Sequence, residues 1–136
     1  MKIKTYKGKL VQQPHFFILN KGMNSGSPNF KPYANCFVLL AETEKERNDY
    51  YWLCFVLWKT QRFVPSLTGS VVPFIRIRDF KTILDDAAVK VHSNKKEYEK
   101  FLSLLVDIDS IHEEYEKQLK FIKNLQKAVF KSMLKQ

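Results

Sequence analysis

Phe101-Leu102-Ser103-Leu104-Leu105-Val106-Asp107-Ile108-Asp109-Ser110-Ile111 opens the stretch that decides how this chain is organised. Continued C-terminally, Phe101, Ile108, Tyr115, Ile122 and Val129 recur every seven residues. A second series, Leu104, Ile111, Gln118, Leu125 and Ser132, lies three residues later, and Leu105, Leu119 and Met133 widen the stripe. A two-step seam repeating every seven residues is the signature of a helix that pairs along its length. Neither Gly nor Pro occurs from Asn94 to Leu134, so the spacing predicts one uninterrupted helix of about 60 Å. That is too long for a core built from the residues before it, and the chain offers no second long helix to cover it. The pattern therefore implies an intermolecular helix pair, parallel or antiparallel, most simply a two-fold homodimer. Its seam would be Phe101, Leu104, Ile108, Ile111, Tyr115, Ile122, Leu125 and Val129. A helix folded back on its own domain, or docked on a heterologous helical protein, is the alternative.

Upstream, residues 1–92 read as a small α+β domain, and 93–136 as the coiled-coil-like helix that follows it. Residues 3–11 alternate weakly, as an edge strand or extended arm. His15-Phe16-Phe17-Ile18-Leu19 and Cys36-Phe37-Val38-Leu39-Leu40-Ala41 are short apolar runs that read as buried strands. Between them Asn20 to Asn29 is the strongest loop signal in the chain. It lacks both GxxxxGK[ST] and GxGxxG, so a turn accounts for it better than a phosphate cradle. Thr43 with Glu46 three residues on forms a capping box for a helix reaching about Phe63. That helix is apolar almost all round, which places Trp52 and Trp58 in the core rather than on a base-stacking surface. After a break at Pro65–Ser70, Ile75 and Ile77 alternate with Arg76 and Arg78, predicting an extended segment with both guanidiniums on one face. Asp79 is then expected to cap a short helix through Leu84, and Ala87–Val91 to form a last short strand.

The 136 residues carry 23 Lys+Arg against 14 Asp+Glu, a net charge of +9, and it is unevenly spread. Residues 1–35 hold Lys2, Lys4, Lys7, Lys9, Lys21 and Lys31 with no acid, while residues 36–58 are net acidic. Lysines clustered among aromatic residues suit phosphate contact, because binding releases condensed counterions. Lys2, Lys4, Lys7, Lys9, Lys21, Lys31, Arg76 and Arg78 are thus candidate contacts for double-stranded DNA, against the plainer reading of a solvated basic surface.

Catalytic and metal chemistry find little support. Cys36 and Cys54 sit in apolar runs and read as free, packed thiols. No CxxC or HxxxH spacing links the cysteines with His15, His92 and His112, so neither a metal nor a cofactor is expected. No GxSxG elbow and no paired-carboxylate site is present, and the reading is non-enzymatic. No 18-residue apolar run and no secretory leader pattern occur. A cytoplasmic protein without membrane contact is the expectation.

From residue 49 onward the order of features resembles the end of a target recognition domain in the specificity subunits of type I restriction–modification systems. Tyr50-Tyr51-Trp52-Leu53-Cys54-Phe55-Val56-Leu57 is similar to the helix that closes such domains. Gly69-Ser70, Pro73, Ile75, Ile77, Asp79-Phe80 and Ile83 are similar to the region that follows it. Glu116-Lys117-Gln118-Leu119 through Ala128-Val129-Phe130 resembles the long conserved-region helix. The likeness covers roughly residues 35–136, with the first half of the recognition domain much shortened. It implies a specificity-subunit-like, DNA-binding half that dimerises through its helix. The chain also resembles a group of short bacterial proteins of unassigned function.

Overall fold

The computed structural model describes residues 1–135. The fold is α+β: a four-stranded antiparallel sheet, two helices that accompany it, and a third, long C-terminal helix. Two compact units divide the chain, Met1–Lys95 and a second that begins at Lys96.

In the first unit, β1 (Lys2–Thr5), β2 (His15–Leu19), β3 (Pro28–Asn29) and β4 (Cys36–Leu40) form a sheet in the order β1-β4-β2-β3. The alternating arm expected over residues 3–11 is paired only as far as Thr5. β4 is the central strand, and all five of its side chains are buried, so both sheet faces must be covered. On one face Ile3, Phe16, Phe37 and Leu39 meet the helices, through the contacts Phe16–Tyr51 and Phe37–Phe80. On the other, Phe17, Cys36, Val38 and Leu40 form a cluster against which Tyr6, Val11 and Tyr33 pack. The residue 6–14 segment accounts for this cover: it leaves β1 at Tyr6, whose N–H donates to Cys36 O, and returns at Pro14, whose carbonyl accepts from Ala41 N–H. β1 and β2 both run antiparallel to β4, so their connection has to cross a face of the sheet.

The Asn20–Asn29 loop is a turn between strands, as its composition indicates, and ends by adding the two residues of β3 to the sheet edge. Gly26 is needed there: its φ is +100°, and a Cβ added to it would land on the Phe63 ring. Cys36 and Cys54 are both free and buried, and burial pushes the Cys54 thiol well up from its ordinary pKa.

α1 (Glu44–Lys59) starts at the capping box: Thr43 Oγ1 accepts from Glu46 N–H at 3.1 Å. The Glu46 carboxylate accepts from Glu42 N–H at 2.8 Å, which holds its pKa below the usual carboxylate value of 4.5. The helix ends four residues before Phe63, because Gln61 turns to φ 59°. Arg62 N–H then reaches Leu57 O and Gln61 N–H reaches Trp58 O. This is a Schellman termination with Gln where Gly is usual, followed by a single 3₁₀ turn at Val64–Ser66.

The region from Val71 onward corrects the expectation of strands. Only isolated bridges, Lys21 to Phe74 and Thr68 to Phe74, occur there. α2 runs from Ile77 to Ser93, absorbing both the proposed Arg78 strand end and the proposed Ala87–Val91 strand. Its inward residues Phe80, Leu84, Ala87, Ala88 and Val91 follow a 3.6-residue period, which outweighs the short Ile75/Ile77 alternation. Arg76, not Asp79, occupies the N-cap, without a side-chain hydrogen bond, and Asp79 lies in the first turn where its charge suits the helix dipole.

Three stability measurements check these assignments by chemical denaturation. Thr43→Ala loses the cap and should cost about 1 kcal/mol. Gln61→Gly relieves the left-handed strain and should gain about 1 kcal/mol. Gly26→Ala adds both strain and overlap with Phe63, and should cost about 3 kcal/mol. The Glu46 contribution should be complete above pH 4.5 and fade as the pH falls below it, since a depressed folded pKa stabilises only the ionised form.

Candidate interaction surfaces

Two surfaces carry the residues that the sequence singles out. The first is α3 (Lys95–Leu134), a single 40-residue helix about 60 Å long. None of its described residues is buried, and the eight seam residues Phe101, Leu104, Ile108, Ile111, Tyr115, Ile122, Leu125 and Val129 are each between 51% and 66% exposed. A helix repeating at 3.6 residues per turn sets these positions in one gently drifting line. Leu119 and Met133 lie beside that line and are also exposed. Isolated apolar side chains on a surface are ordinary, whereas these form a contiguous stripe along one helix.

The second surface is basic. Lys2 pairs with Leu40 and Lys4 with Val38 across β1 and β4, so both lysines belong to the face of the sheet opposite the helices. The 6–14 segment brings Lys7 and Lys9 over the same face, around a groove of about 610 Å³ floored by Val38 and Leu40 and walled by Tyr6 and Val11. The segment is held at its ends, where Gln13 Nε2 donates to Ala41 O at 3.1 Å and the Tyr6 ring packs edge-on to Phe17 at 4.8 Å. Four of the eight candidate cations are therefore neighbours.

The other four are dispersed. Lys31 follows β3, on the sheet edge opposite β1, a separation of about 14 Å across three strand spacings. Lys21 lies in the bridge to Phe74. Arg76 is the extended N-cap of α2, and Arg78 is the second residue of that helix, so they do not share a strand face. Sequence reasoning missed the groove itself, because an all-apolar β4 gives no clue to which of its side chains face the lysines.

Trp52 and Trp58 are half-buried rather than enclosed. They belong to a ladder running Phe30–Tyr51–Trp52–Phe55–Trp58, with Arg47 over the Phe30 ring at one end and Lys59 over Trp58 at the other. Among the described residues no group of three or more His, Cys, Asp or Glu side chains is placed to hold a metal. No helix among them is long and apolar enough to cross a membrane.

These elements define an α+β protein whose antiparallel sheet domain leads into one long amphipathic helix. The chain belongs to DUF6943, a family of unknown function whose pattern spans residues 3–132, and so takes in both the sheet domain and nearly all of α3. No curated protein and no solved structure matches it.

Removing Lys7 and Lys9 together leaves the groove floor intact, since both side chains are exposed. The double variant Lys7→Ala/Lys9→Ala should unfold within about 0.5 kcal/mol of the parent, by thermal or urea denaturation.

Proposed function

We propose that the protein is a non-enzymatic, cytoplasmic pairing module that works as a dimer joined through α3. The observation that carries this reading is the uncovered seam of α3, with eight large apolar side chains in heptad register each more than half exposed. Leaving so much apolar surface in water forfeits about 25 cal/mol per Å² that a partner would recover. A 40-residue helix without tertiary cover along that seam is also better stabilised by a partner than by propensity alone.

Light scattering coupled to size exclusion should give a stable dimer. Ile111→Asp with Leu125→Asp, which sets charges in the seam without touching the first unit, should return a monomer with an unchanged sheet domain. A parent that stays monomeric at every concentration would overturn the reading, and a parent that pairs only with a foreign helical protein would replace self-pairing with the heterologous alternative.

A second reading is favoured by the convergence of Lys2, Lys4, Lys7 and Lys9 on one sheet face: each copy contacts the phosphates of duplex DNA there. This keeps the DNA-binding half of the specificity-subunit likeness and drops Lys21, Lys31, Arg76 and Arg78 from the contact set. Four phosphate contacts give a slope of about −3.6 in log affinity against log salt. Titration of labelled duplex should yield that slope, and Lys7→Ala should reduce its magnitude by about one. Absence of binding at low salt would remove DNA from the proposal and leave the pairing untouched.

A further inference from the structure

The two halves of α3 differ in how far the apolar surface spreads from the heptad line. In the first half the positions beside that line include Lys100, Asp107, His112 and Glu114, so the stripe is narrow and edged by polar groups. In the second half they include Leu119, Phe121, Ala128 and Met133. At about 100° per residue, the apolar arc of the second half runs from Phe121 through Leu125, Val129, Ile122 and Leu119 to Phe130, about 180° of the helix. These six side chains are each between 51% and 66% exposed. Gln118, Gln126 and Ser132 are the polar residues within the arc.

The rest of the circumference is basic. Lys117, Lys120, Lys123, Lys127 and Lys131 are all exposed and share an arc of about 120° on the opposite side. From residue 117 to 135 there are six lysines and no acid. Lys123 lies beside Phe130 at one edge of the apolar arc, and Lys117 beyond Phe121 and Ala128 at the other. From this segregation we infer that residues 117–134 dock lengthwise on an anionic lipid surface, with the apolar arc inward and the lysines among the headgroups.

Width and charge together point to lipid. One partner helix covers a seam, whereas Phe121 and Phe130 lie on nearly opposite sides of the helix and need a flat apolar medium to cover both. A helix with large apolar side chains on one face and lysines on the other lies in the plane of a membrane interface, its apolar face about 5–10 Å deep. Lysines at the edges of such a face extend their stems along it and keep their ammonium groups at headgroup level. Anionic lipid supplies the opposite charge, and each lysine near the surface strengthens binding about fivefold. Lying on a bilayer does not require the long apolar run that crossing it does, and no described helix has that run. The inference goes beyond the pairing reading: residues 101–115 keep their seam whichever surface covers residues 117–134.

Flotation of the full-length protein with vesicles tests this. It should float with vesicles of equal parts phosphatidylglycerol and phosphatidylcholine at low salt, and at least about tenfold more weakly with phosphatidylcholine alone. Lys117→Ala with Lys123→Ala should weaken binding to the anionic vesicles about 30-fold, and Phe121→Ser with Phe130→Ser at least about tenfold. All four positions are exposed, so the sheet domain is untouched. A Phe121→Ser/Phe130→Ser protein that floats like the parent is held by charge alone and overturns the inference. Loss of flotation in Lys7→Ala/Lys9→Ala, with the α3 variants unaffected, assigns the contact to the basic groove and overturns it too. Failure to float at low salt overturns it and leaves this face to an acidic helical protein. Cys36 and Cys54 are buried, so a fluorescent label can be directed to Phe121→Cys or Lys120→Cys. Brominated acyl chains should quench the label at 121 and spare the one at 120; equal quenching overturns the proposed orientation. Light scattering without vesicles reads pairing separately. A dimer that does not float keeps the pairing reading and loses this one, and a monomer that floats does the reverse.

Discussion

Burial of β4 on both faces is the constraint on which the compact unit depends. Five consecutive apolar side chains, Cys36 to Leu40, cannot be covered by packing on one side, since adjacent residues in a strand point to opposite faces. The chain meets the demand with two different materials. Helices α1 and α2 supply large rings, Tyr51 and Phe80, to one face. An irregular crossover, residues 6–14, supplies Tyr6 and Val11 to the other. The second cover is thinner, and that is where a groove remains beside Val38 and Leu40. Lys7 and Lys9 line it because the same crossover that shields the sheet carries them, and Lys4 joins them from β1.

The same constraint explains why charge and apolar surface are close neighbours here. β1 is an edge strand whose inward residue Ile3 joins the core while Lys2 and Lys4 take the alternate face. An edge strand presents unpaired backbone groups that could pair with other chains, and lysines along it discourage that. Lys2 and Lys4 thus have a plain structural role whether or not a phosphate ever meets them, and salt-dependent binding is what separates the two roles.

What could be read from the residues tracks how local the determining physics is. The capping box at Thr43, the apolar runs of β2 and β4, and the length of α3 all rest on contacts within a few residues or on a repeated period, and the structure has them. The end of α1 was hidden because Gln61, not Gly, takes the left-handed position, so no residue type marked the stop. The α2 region misled for a different reason. Ile75 and Ile77 alternate because one belongs to the approach and the other to the first turn of the helix, and two points fit either period. Only Phe80, Leu84, Ala87 and Val91 together reveal the 3.6-residue spacing. The candidate cations divided along similar lines: neighbours in sequence at Lys7 and Lys9 stayed neighbours in space, whereas Lys21, Lys31 and the arginines were placed by long-range topology.

α3 poses the opposite problem from β4, because its apolar surface is long, narrow and nowhere enclosed. A strand of five residues can be buried by whatever crosses it, but a seam of about 47 Å needs an object of the same length and period. A second α3 would meet both requirements, which is why the proposed dimer is joined through this helix.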